Sequence, residues 1–551
     1  MKLKFDTHIR LKQKISLFVK CKYNEDCIPL IHSFGRKYYH SNLNVWELPC
    51  EAFPILCECN DVVICGEIPK KYKHYLELLD KYDVEDSEYF SKTTPFQHQL
   101  DSFEYAKAHS KFLLGDEQGL GKTKQALDIA VSRKHKMKHC LIVCGVNGLK
   151  WNWLNEITTH TNEEGFILGS YIKNEKLVVG PVSERLSDLK KDHTEFFIIT
   201  NIETLRDPYI AAQIQNMCTS GVIGMTIIDE IHKCKNYSSQ QGKAIHNCCS
   251  YYKLALTGTP LMNSPMDLYN ILKWLGYENH SYSQFESYYA IKGGYGNYQI
   301  VGYQHLDELQ ELLDSHMLRR RKEDVLDLPD KIHINEYVEM NSSQEKIYKE
   351  ILSSLREDID KILLDPNPLS QLTRLRQATA NPELLTTKKV TSSKLERMVE
   401  IVDEAVENGD KVIIFSNYSK NINAAVKMLK KFNPAIVTGD VKEIDEQINK
   451  FKCDTRCKVI CGTIGCLGTG FTLTEATTII FIDEPWNMAN KQQAEDRAHR
   501  IGTKSNVTIY TLICKNTIDD RINKLVQSKG MMSDCLVDKQ YSVDDIKYLL
   551  S

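Results

Sequence analysis

From residue 95 onward, short apolar runs recur along the chain. Each is closed by a polar turn and followed by a stretch with apolar residues at helical spacing. The runs KFLLGD, CLIVCG, FFIIT, GMTIIDE, KLALTG, KVIIFS, KVICGT, TIIFID and VTIYTLI are apolar throughout rather than alternating. That pattern marks strands covered on both faces, and strands alternating with helices predict parallel α/β layers. Two such blocks stand out, at 95–275 and 391–515. The region between them, 276–390, is rich in Leu, Glu, Lys and Arg, lacks strand-like runs and reads as helical; residues 516–551 read as a helix and a short tail. The first 68 residues differ in character. KISLFVKCKY alternates like a strand, NEDCIPLIHSF fits a short helix, and RKYYHSNLNVWELP fits two short strands around an Asn-containing turn, which predicts a small α+β domain. The charged stretch 69–94 reads as a helical linker.

Bulk properties narrow the class without choosing within it. A chain of 551 residues exceeds one ordinary core, so three or four domains are expected. The net charge of -3 neither supports nor excludes nucleic acid, because a large protein can confine its positive charge to one cleft. No run of about 18 apolar residues is found, so no membrane span is expected. The N-terminus MKLKFDTHIRLKQK has no continuous apolar core and is not a secretory signal, so the 18 cysteines read as reduced thiols of an intracellular protein. Six of them fall early, at Cys21, Cys27, Cys50, Cys57, Cys59 and Cys65. No pair has the C-x2-C or C-x4-C spacing of structural zinc sites, and buried thiols are the better reading.

Candidate chemistry begins at LLGDEQGLGKTKQAL, residues 113–127. The general phosphate-loop pattern G-x-x-x-x-G-K-[ST] would put a glycine at position 116, where the chain has Asp116. A strand before the loop and a helix after it nevertheless supply the context in which backbone amides converge on phosphate. In such a loop Lys122 reaches the β- and γ-phosphates and Thr123 ligates Mg²⁺. A glycine-rich structural turn remains the alternative.

Two further constellations follow. GMTIIDEIHKCKN places Asp229 and Glu230 at the end of an apolar strand, where a nucleotide hydrolase needs one carboxylate for the metal and one to deprotonate water. Acidic residues at a helix N-terminus would look the same in isolation. NKQQAEDRAHRIG sets Arg497 and Arg500 three residues apart on one face of a predicted helix, with Gln493 one turn earlier. Two guanidinium groups suit a γ-phosphoryl group in transfer, although an exposed charged helix carries such pairs too.

In order, the chain shows TTPFQHQLDSF, LLGDEQGLGKTKQ, CLIVCGVNGLKWNWLNEI, FFIITNIETLR, TIIDEIHKCKN, KLALTGTPLMNSPMDLYNIL, LDSHMLRRRKEDV, LPDKIHINEYVEM, LTRLRQATANPELL, KVIIFSNYSK, LGTGFTLTEATTIIFIDEPWN and QQAEDRAHRIG. This series resembles the superfamily 2 helicase-like ATPases of the Swi/Snf type over about residues 90–520. The resemblance implies two tandem RecA-like parallel-sheet lobes with helical insertions, using ATP and Mg²⁺. Gln97 would read adenine, and Gly119, Leu120, Gly121, Lys122, Thr123 and Lys124 would form the phosphate loop, in a family version D-E-x-G-L-G-K-T that has aspartate at 116. Asp229 with Thr123 would hold the metal and Glu230 would be the base, in DEIH where DEAH is commoner. Thr257, Gly258 and Thr259 would couple hydrolysis to DNA; Arg497 and Arg500 would be arginine fingers offered by the second lobe, with Gln493 at the nucleotide. Gly468 and Gly470 would contact DNA, although GCLGTGFTLT has Thr472 where the family usually has Asn.

The resemblance implies a monomeric translocase on double-stranded or branched DNA, with a strand-separating DNA or RNA helicase and an ATP-switched clamp as alternatives. Trp151 and Trp153 would then be either base-stacking platforms or packing residues, with packing the commoner use. GRKYYHSNLNVWELPCEAFPIL is similar to the HARP module of annealing helicases. The short stretch beyond residue 520 points to a compact bacterial or viral form, working in the cytoplasm at the nucleoid or in a host cytoplasm.

Overall fold

The computed structural model describes residues 91–529 apart from 146–148, 174–175, 259–263, 294–298, 327, 358–367, 387–388, 442, 469–470, 486–487, 501 and 504. Before residue 91 it describes 1–7, 15–21, 31, 37–48, 52–57, 62–69, 73, 76, 82 and 85–88. The chain divides into two compact units, one of Met1–Asp116 with Lys122–Arg319 and one of Glu117–Gly121 with Arg320–Ser551.

The first unit opens with strands β1 (Lys2–Thr7), β2 (Ile15–Lys20), β3 (Tyr38–His40), β4 (Val45–Leu48) and β5 (Val63–Cys65), in the order β3-β4-β2-β1-β5. Leu3 pairs with Val19 and Phe5 with Leu17, so alternate residues of β1 and β2 bury one face against Phe53 and Leu56. The turn between β3 and β4 runs through Asn44 at φ 53°, a conformation asparagine tolerates better than most residues. The segment NEDCIPLIHSF lies, Ile31 aside, outside the described residues, as do Cys27, Cys50 and Cys59. Among the described residues no group of three or more His, Cys, Asp or Glu could hold a metal ion by itself.

The main sheet of this unit is built from β6 (Lys111–Leu114), β7 (His139–Cys144), β8 (Gly165–Ile167), β11 (Phe197–Asn201), β12 (Ile223–Asp229), β13 (Tyr252–Leu256) and β16 (Met317–Leu318). Two hairpins lie outside it, β9 (Ser170–Lys173) with β10 (Lys176–Val179), and β14 (Ala290–Gly293) with β15 (Gln299–Tyr303). Its order is β16-β6-β13-β12-β7-β11-β8 and every pairing is parallel. Successive residues feed two cores: Phe112, Ile142 and Ile227 pack with Trp153 on one face, while Leu113, Val143 and Ile228 pack with Trp274 on the other. Fully burying each such side chain contributes roughly 1.5–3 kcal/mol, which is why consecutive positions at the centres of these strands are apolar.

The second unit repeats the plan with β17 (Lys331–Val338), β18 (Val412–Ser416), β19 (Ala435–Val437), β20 (Val459–Thr463), β21 (Thr478–Phe481) and β22 (Val507–Cys514). These form a parallel sheet in the order β17-β22-β21-β18-β20-β19, with Ile413 and Phe415 on one face and Val412 and Ile414 on the other.

All nine apolar runs read as strands lie on strands of these two sheets. Three expectations need correction. Residues 276–390, read as helical, also contain β14, β15, β16 and β17, and the last two complete the edges of the main sheets. The stretch 69–94, read as a helical linker, is helical at 73, 76 and 82 but non-helical through 85–88 and 91–94. There it is bound onto the first unit. Asp86 sits between Arg133, at 2.9 Å, and Lys136, all three buried, and the Ser87 N–H donates to the Ser132 carbonyl at 3.0 Å. A buried carboxylate matched to two cations cannot stay on a solvated helix. The third correction concerns the arginines, below.

Candidate active site

Both main sheets are parallel, and the functional residues of the first unit gather at the carboxyl ends of its strands, the usual place for ligands in open α/β sheets. β6 delivers Gly115 and Asp116, β12 delivers Asp229 and Glu230, and β13 delivers Thr257.

Asp116 explains its own presence. The side chain is fully buried and accepts a hydrogen bond from Gln125 Nε2 at 3.1 Å, while Gln125 Oε1 accepts from the Ser102 hydroxyl. The position where the general pattern has glycine thus ties the loop to the helices Lys122–Ser132 and Gln97–Ala108. The loop's flexibility comes instead from Gly119 and Gly121, at φ 90° and 75°, a region that a residue with a Cβ enters only with strain. Within the second unit, a Cβ on Gly119 would lie 3.0 Å from Lys322 Cε and 3.3 Å from Arg500 Cγ. Leu120 is fully buried beside it.

The Lys122 ammonium donates to the Asp116 carbonyl at 2.7 Å, and Thr123 is half-buried in the first turn of its helix. Lys124 does not join them. Its side chain is 7% exposed, and its ammonium donates to Asp128 at 2.7 Å and to the Ser91 hydroxyl at 2.6 Å. Gln97 is exposed at the start of its helix, donating to Asp101 at 2.9 Å.

At the end of β12 the two oxygens of Asp229 are each engaged. Oδ1 accepts from the Glu230 N–H and Oδ2 from the Trp153 indole N–H, both at 2.9 Å. Burial, and then the neighbouring Glu230 charge, push the Asp229 carboxyl up to about 6, against the Trp153 hydrogen bond and the Lys122 charge that pull it down. Glu230 itself sits at φ 51° and ψ 47°, a left-handed backbone that costs a non-glycine residue about 1–2 kcal/mol. Gly145 after β7 permits this corner, since a Cβ there would meet the Asp229 carbonyl oxygen and Glu230 Cβ at 2.8 Å each. His232 Nδ1 lies 3.1 Å from Glu230 Oε2 and 3.1 Å from the Thr257 hydroxyl. Thr257 is fully buried and donates its N–H to the Leu114 carbonyl at 3.2 Å. One nitrogen of His232 thus lies within 3.1 Å of both Glu230 and Thr257. Thr259 lies outside the described residues.

In the second unit the helix Met488–Glu495 stops before the arginines, which the sequence pattern had placed on it. Arg497 and Arg500 follow on turns. The Arg497 carbonyl accepts from the Leu473 N–H at 2.8 Å, and the Arg500 N–H goes to the Thr503 hydroxyl at 2.9 Å, so the backbone groups a helix would use are taken. Both side chains hold the same neighbouring segment: Arg497 Nη1 donates to the Phe471 carbonyl at 3.2 Å and Arg500 Nη1 to the Thr472 hydroxyl at 2.8 Å. Gln493 contributes its carbonyl, which accepts from Arg497 Nε at 3.0 Å. Gly468 caps the short helix Ile464–Leu467, and Gly470 lies outside the described residues.

Sequence reasoning missed the Trp153 hydrogen bond, the role of His232 and a buried ion cluster. In that cluster Asp496 lies 2.6 Å from Lys322 and 2.9 Å from Lys331. Burial would push its carboxyl up, but the two ammonium groups outweigh that and hold it below the usual range. The run LRRRKEDV carried Lys322 in plain view, without a spacing that tied it to Asp496.

Among the described residues no helix is long and apolar enough to cross a membrane. Residues 39–384 match the SNF2-related domain, and residues 393–502 match the helicase conserved C-terminal domain. An uncharacterized ATP-dependent helicase of Mycoplasma pneumoniae is 28% identical over 507 residues, covering 86% of this chain and 46% of that protein. The CHD3-type chromatin-remodeling factor CHR7 of Arabidopsis thaliana is 25% identical over 457 residues, covering 79% of this chain and 36% of its own length. The chain thus spans less than half the length of these relatives. Among solved structures, the Sulfolobus solfataricus SWI2/SNF2 ATPase core in complex with dsDNA is similar at 26% identity, covering 85% of this chain and 98% of that one, with a TM-score of 0.38. The chain belongs to the SNF2-related domain family, with a helicase conserved C-terminal domain following that domain.

Proposed function

We propose that this protein is a DNA-stimulated ATPase that translocates on duplex DNA and remodels forked or branched DNA or protein–DNA complexes inside the cell. The observation that carries the reading is the corner at β12, where a partly buried acid pair faces the charge of Lys122 and His232 Nδ1 lies 3.1 Å from both Glu230 and Thr257. Mg²⁺ fits the donors present. It is commonly held by one or two carboxylates together with substrate phosphates and water, rather than by an all-protein cage. Asp229 and Thr123 would hold it, and the ion would neutralise charge on the phosphates of ATP. Glu230 would orient and deprotonate the attacking water, and Lys122, Arg497 and Arg500 would stabilise the transferring phosphoryl group. Gln97 would read adenine. The position of His232 between Glu230 and Thr257 would let loss of the γ-phosphate be felt at Thr257 and Gly258, and with them at a DNA contact. DNA held through its phosphates carries no sequence requirement, which suits a motor that steps anywhere. The N-terminal sheet would serve as an accessory module for branched DNA.

The test is ATP hydrolysis by the full chain with no nucleic acid and with duplex DNA, forked DNA, single strands or RNA. Stimulation by duplex or forked DNA is expected; stimulation by RNA alone, or by none of them, overturns the reading. Glu230→Gln should keep ATP binding and lose turnover, and turnover at the parent rate would remove Glu230 as the base.

A further inference from the structure

Trp153 is fully buried in the helix Leu149–His160 and packs among Leu149, Ile157 and Phe197. Packing alone would leave its indole N–H without a purpose, and a buried N–H without an acceptor is destabilising by about 1–3 kcal/mol. The acceptor it has is Asp229 Oδ2, at 2.9 Å and 76 residues away in the chain. The other oxygen, Oδ1, is held by the Glu230 N–H at 2.9 Å. Two donors on two oxygens fix both the position and the plane of the carboxylate. An indole N–H only donates, so it keeps Oδ2 an acceptor and leaves that oxygen a further lone pair. Partners of this kind commonly orient metal-binding carboxylates and histidines.

We propose that Trp153 is a positioning residue for the metal site: its indole N–H sets the carboxylate of Asp229 in the orientation that receives nucleotide-bound Mg²⁺. This rests on the assignment of Asp229 to the metal made above. It adds to the packing reading of this tryptophan, which its full burial bears out and which leaves no ring face for stacking on bases. Trp151 provides the internal comparison, being half-buried against the same core without this bond.

The experiment measures binding rather than turnover. ADP affinity of the full-length protein is determined by calorimetry with Mg²⁺ and with EDTA, for the parent, Trp153→Phe, Trp151→Phe and Asp229→Asn. Mn²⁺–ADP complexes of each are compared by electron paramagnetic resonance. Trp153→Phe should weaken ADP binding about tenfold in Mg²⁺, leave the EDTA affinity unchanged and alter the Mn²⁺ spectrum, while Trp151→Phe changes none of these. Equal losses in Mg²⁺ and EDTA would show a packing role and overturn the proposal. So would an unchanged Trp153→Phe beside an Asp229→Asn that loses its metal dependence. If Asp229→Asn keeps full metal dependence, the assignment of Asp229 to the metal fails instead. Should Trp153→Phe not fold, the benzothiophene analogue of tryptophan, which keeps the shape and lacks the N–H, decides the matter by the same readouts.

Discussion

Replacing Glu230 with glutamine should stabilise the first unit while abolishing turnover, and the gain should depend on pH. Asp229 is displaced from 3.8 to about 6, first by burial and then by the charge of Glu230. At about 1.4 kcal/mol per pH unit, that displacement amounts to ~3 kcal/mol of penalty on the ionised carboxylate. Burial takes the larger part, so the share of Glu230 is on the order of 1 kcal/mol. The sign is the reverse of an ion-paired acid. A carboxyl raised on folding imposes no penalty below its unfolded value and the full penalty above its folded one. Glu230→Gln should therefore gain little at pH 4 and its full amount at pH 8. For a unit of this size ~1 kcal/mol corresponds to roughly 2–4 °C in melting temperature. The assay is thermal unfolding of full-length protein in EDTA without nucleotide, with hydrogen exchange at β7 and β12 to locate the change. Glutamine keeps the left-handed backbone at φ 51°, so relief of backbone strain cannot supply the gain. A lower melting temperature at pH 8, or a gain equal at both pH values, would refute repulsion within the acid pair.

Three other outcomes are expected. Asp496→Asn leaves the buried Lys322 without its carboxylate and Lys331 with only Glu495 at 3.5 Å, and should destabilise the second unit by about 3 kcal/mol, read as faster hydrogen exchange in β17 and β22. Because its carboxyl is held low, the stabilisation it gives is present above the ordinary carboxylate range and is lost as pH falls through the folded value. Thr472→Val removes the acceptor of Arg500 Nη1 and should lower kcat by up to about tenfold with KM for ATP little changed, while Thr472→Ser keeps the parent rate. Asp86→Asn breaks the buried triad with Arg133 and Lys136 and should lower stability by about 3 kcal/mol, opening residues 85–88 to limited proteolysis.

What the sequence revealed follows a physical line. Inside the two main sheets, the nine strands legible as apolar runs have a neighbour on each side or carry long buried faces. The four that escaped, β8, β16, β17 and β19, are the outer strands of the two sheets. An outer strand faces solvent along one side, so it can be as short as Met317–Leu318 or as polar as KIHINEYV, where only Val338 is buried. The site divides in the same way. Lys122, Thr123, Asp229 and Glu230 are local to one turn each, and spacing finds them. Trp153 reaches Asp229 across 76 residues and Lys322 binds Asp496 across two distant segments, contacts that exist only once the sheets have formed. The arginines were legible as residues but not as geometry, because the helix ends where residues 471–473 claim Arg497.

Two aspartates, read together, distinguish a functional acid from a structural one without any motif. Asp496 is nine-tenths or more buried with two lysines within 3 Å, and its carboxyl is pulled down: the protein has supplied its counter-charge. Asp229 is partly buried at the end of its strand, and its carboxyl is pushed up, first by burial and then by the charge of Glu230. Burying like charges side by side, on a corner that also forces Glu230 into a left-handed backbone, works against folding. The charge of Lys122 pulls the Asp229 carboxyl down but does not outweigh burial and Glu230. Repulsion between the two carboxylates is repulsion that a divalent ion carried with a nucleotide can relieve, and binding then recovers energy that folding gave up. On that argument, ligation of Mg²⁺–nucleotide should stabilise the first unit by more than its phosphate contacts alone would supply. The excess should disappear in Glu230→Gln, where the repulsion that the ion relieves is already gone.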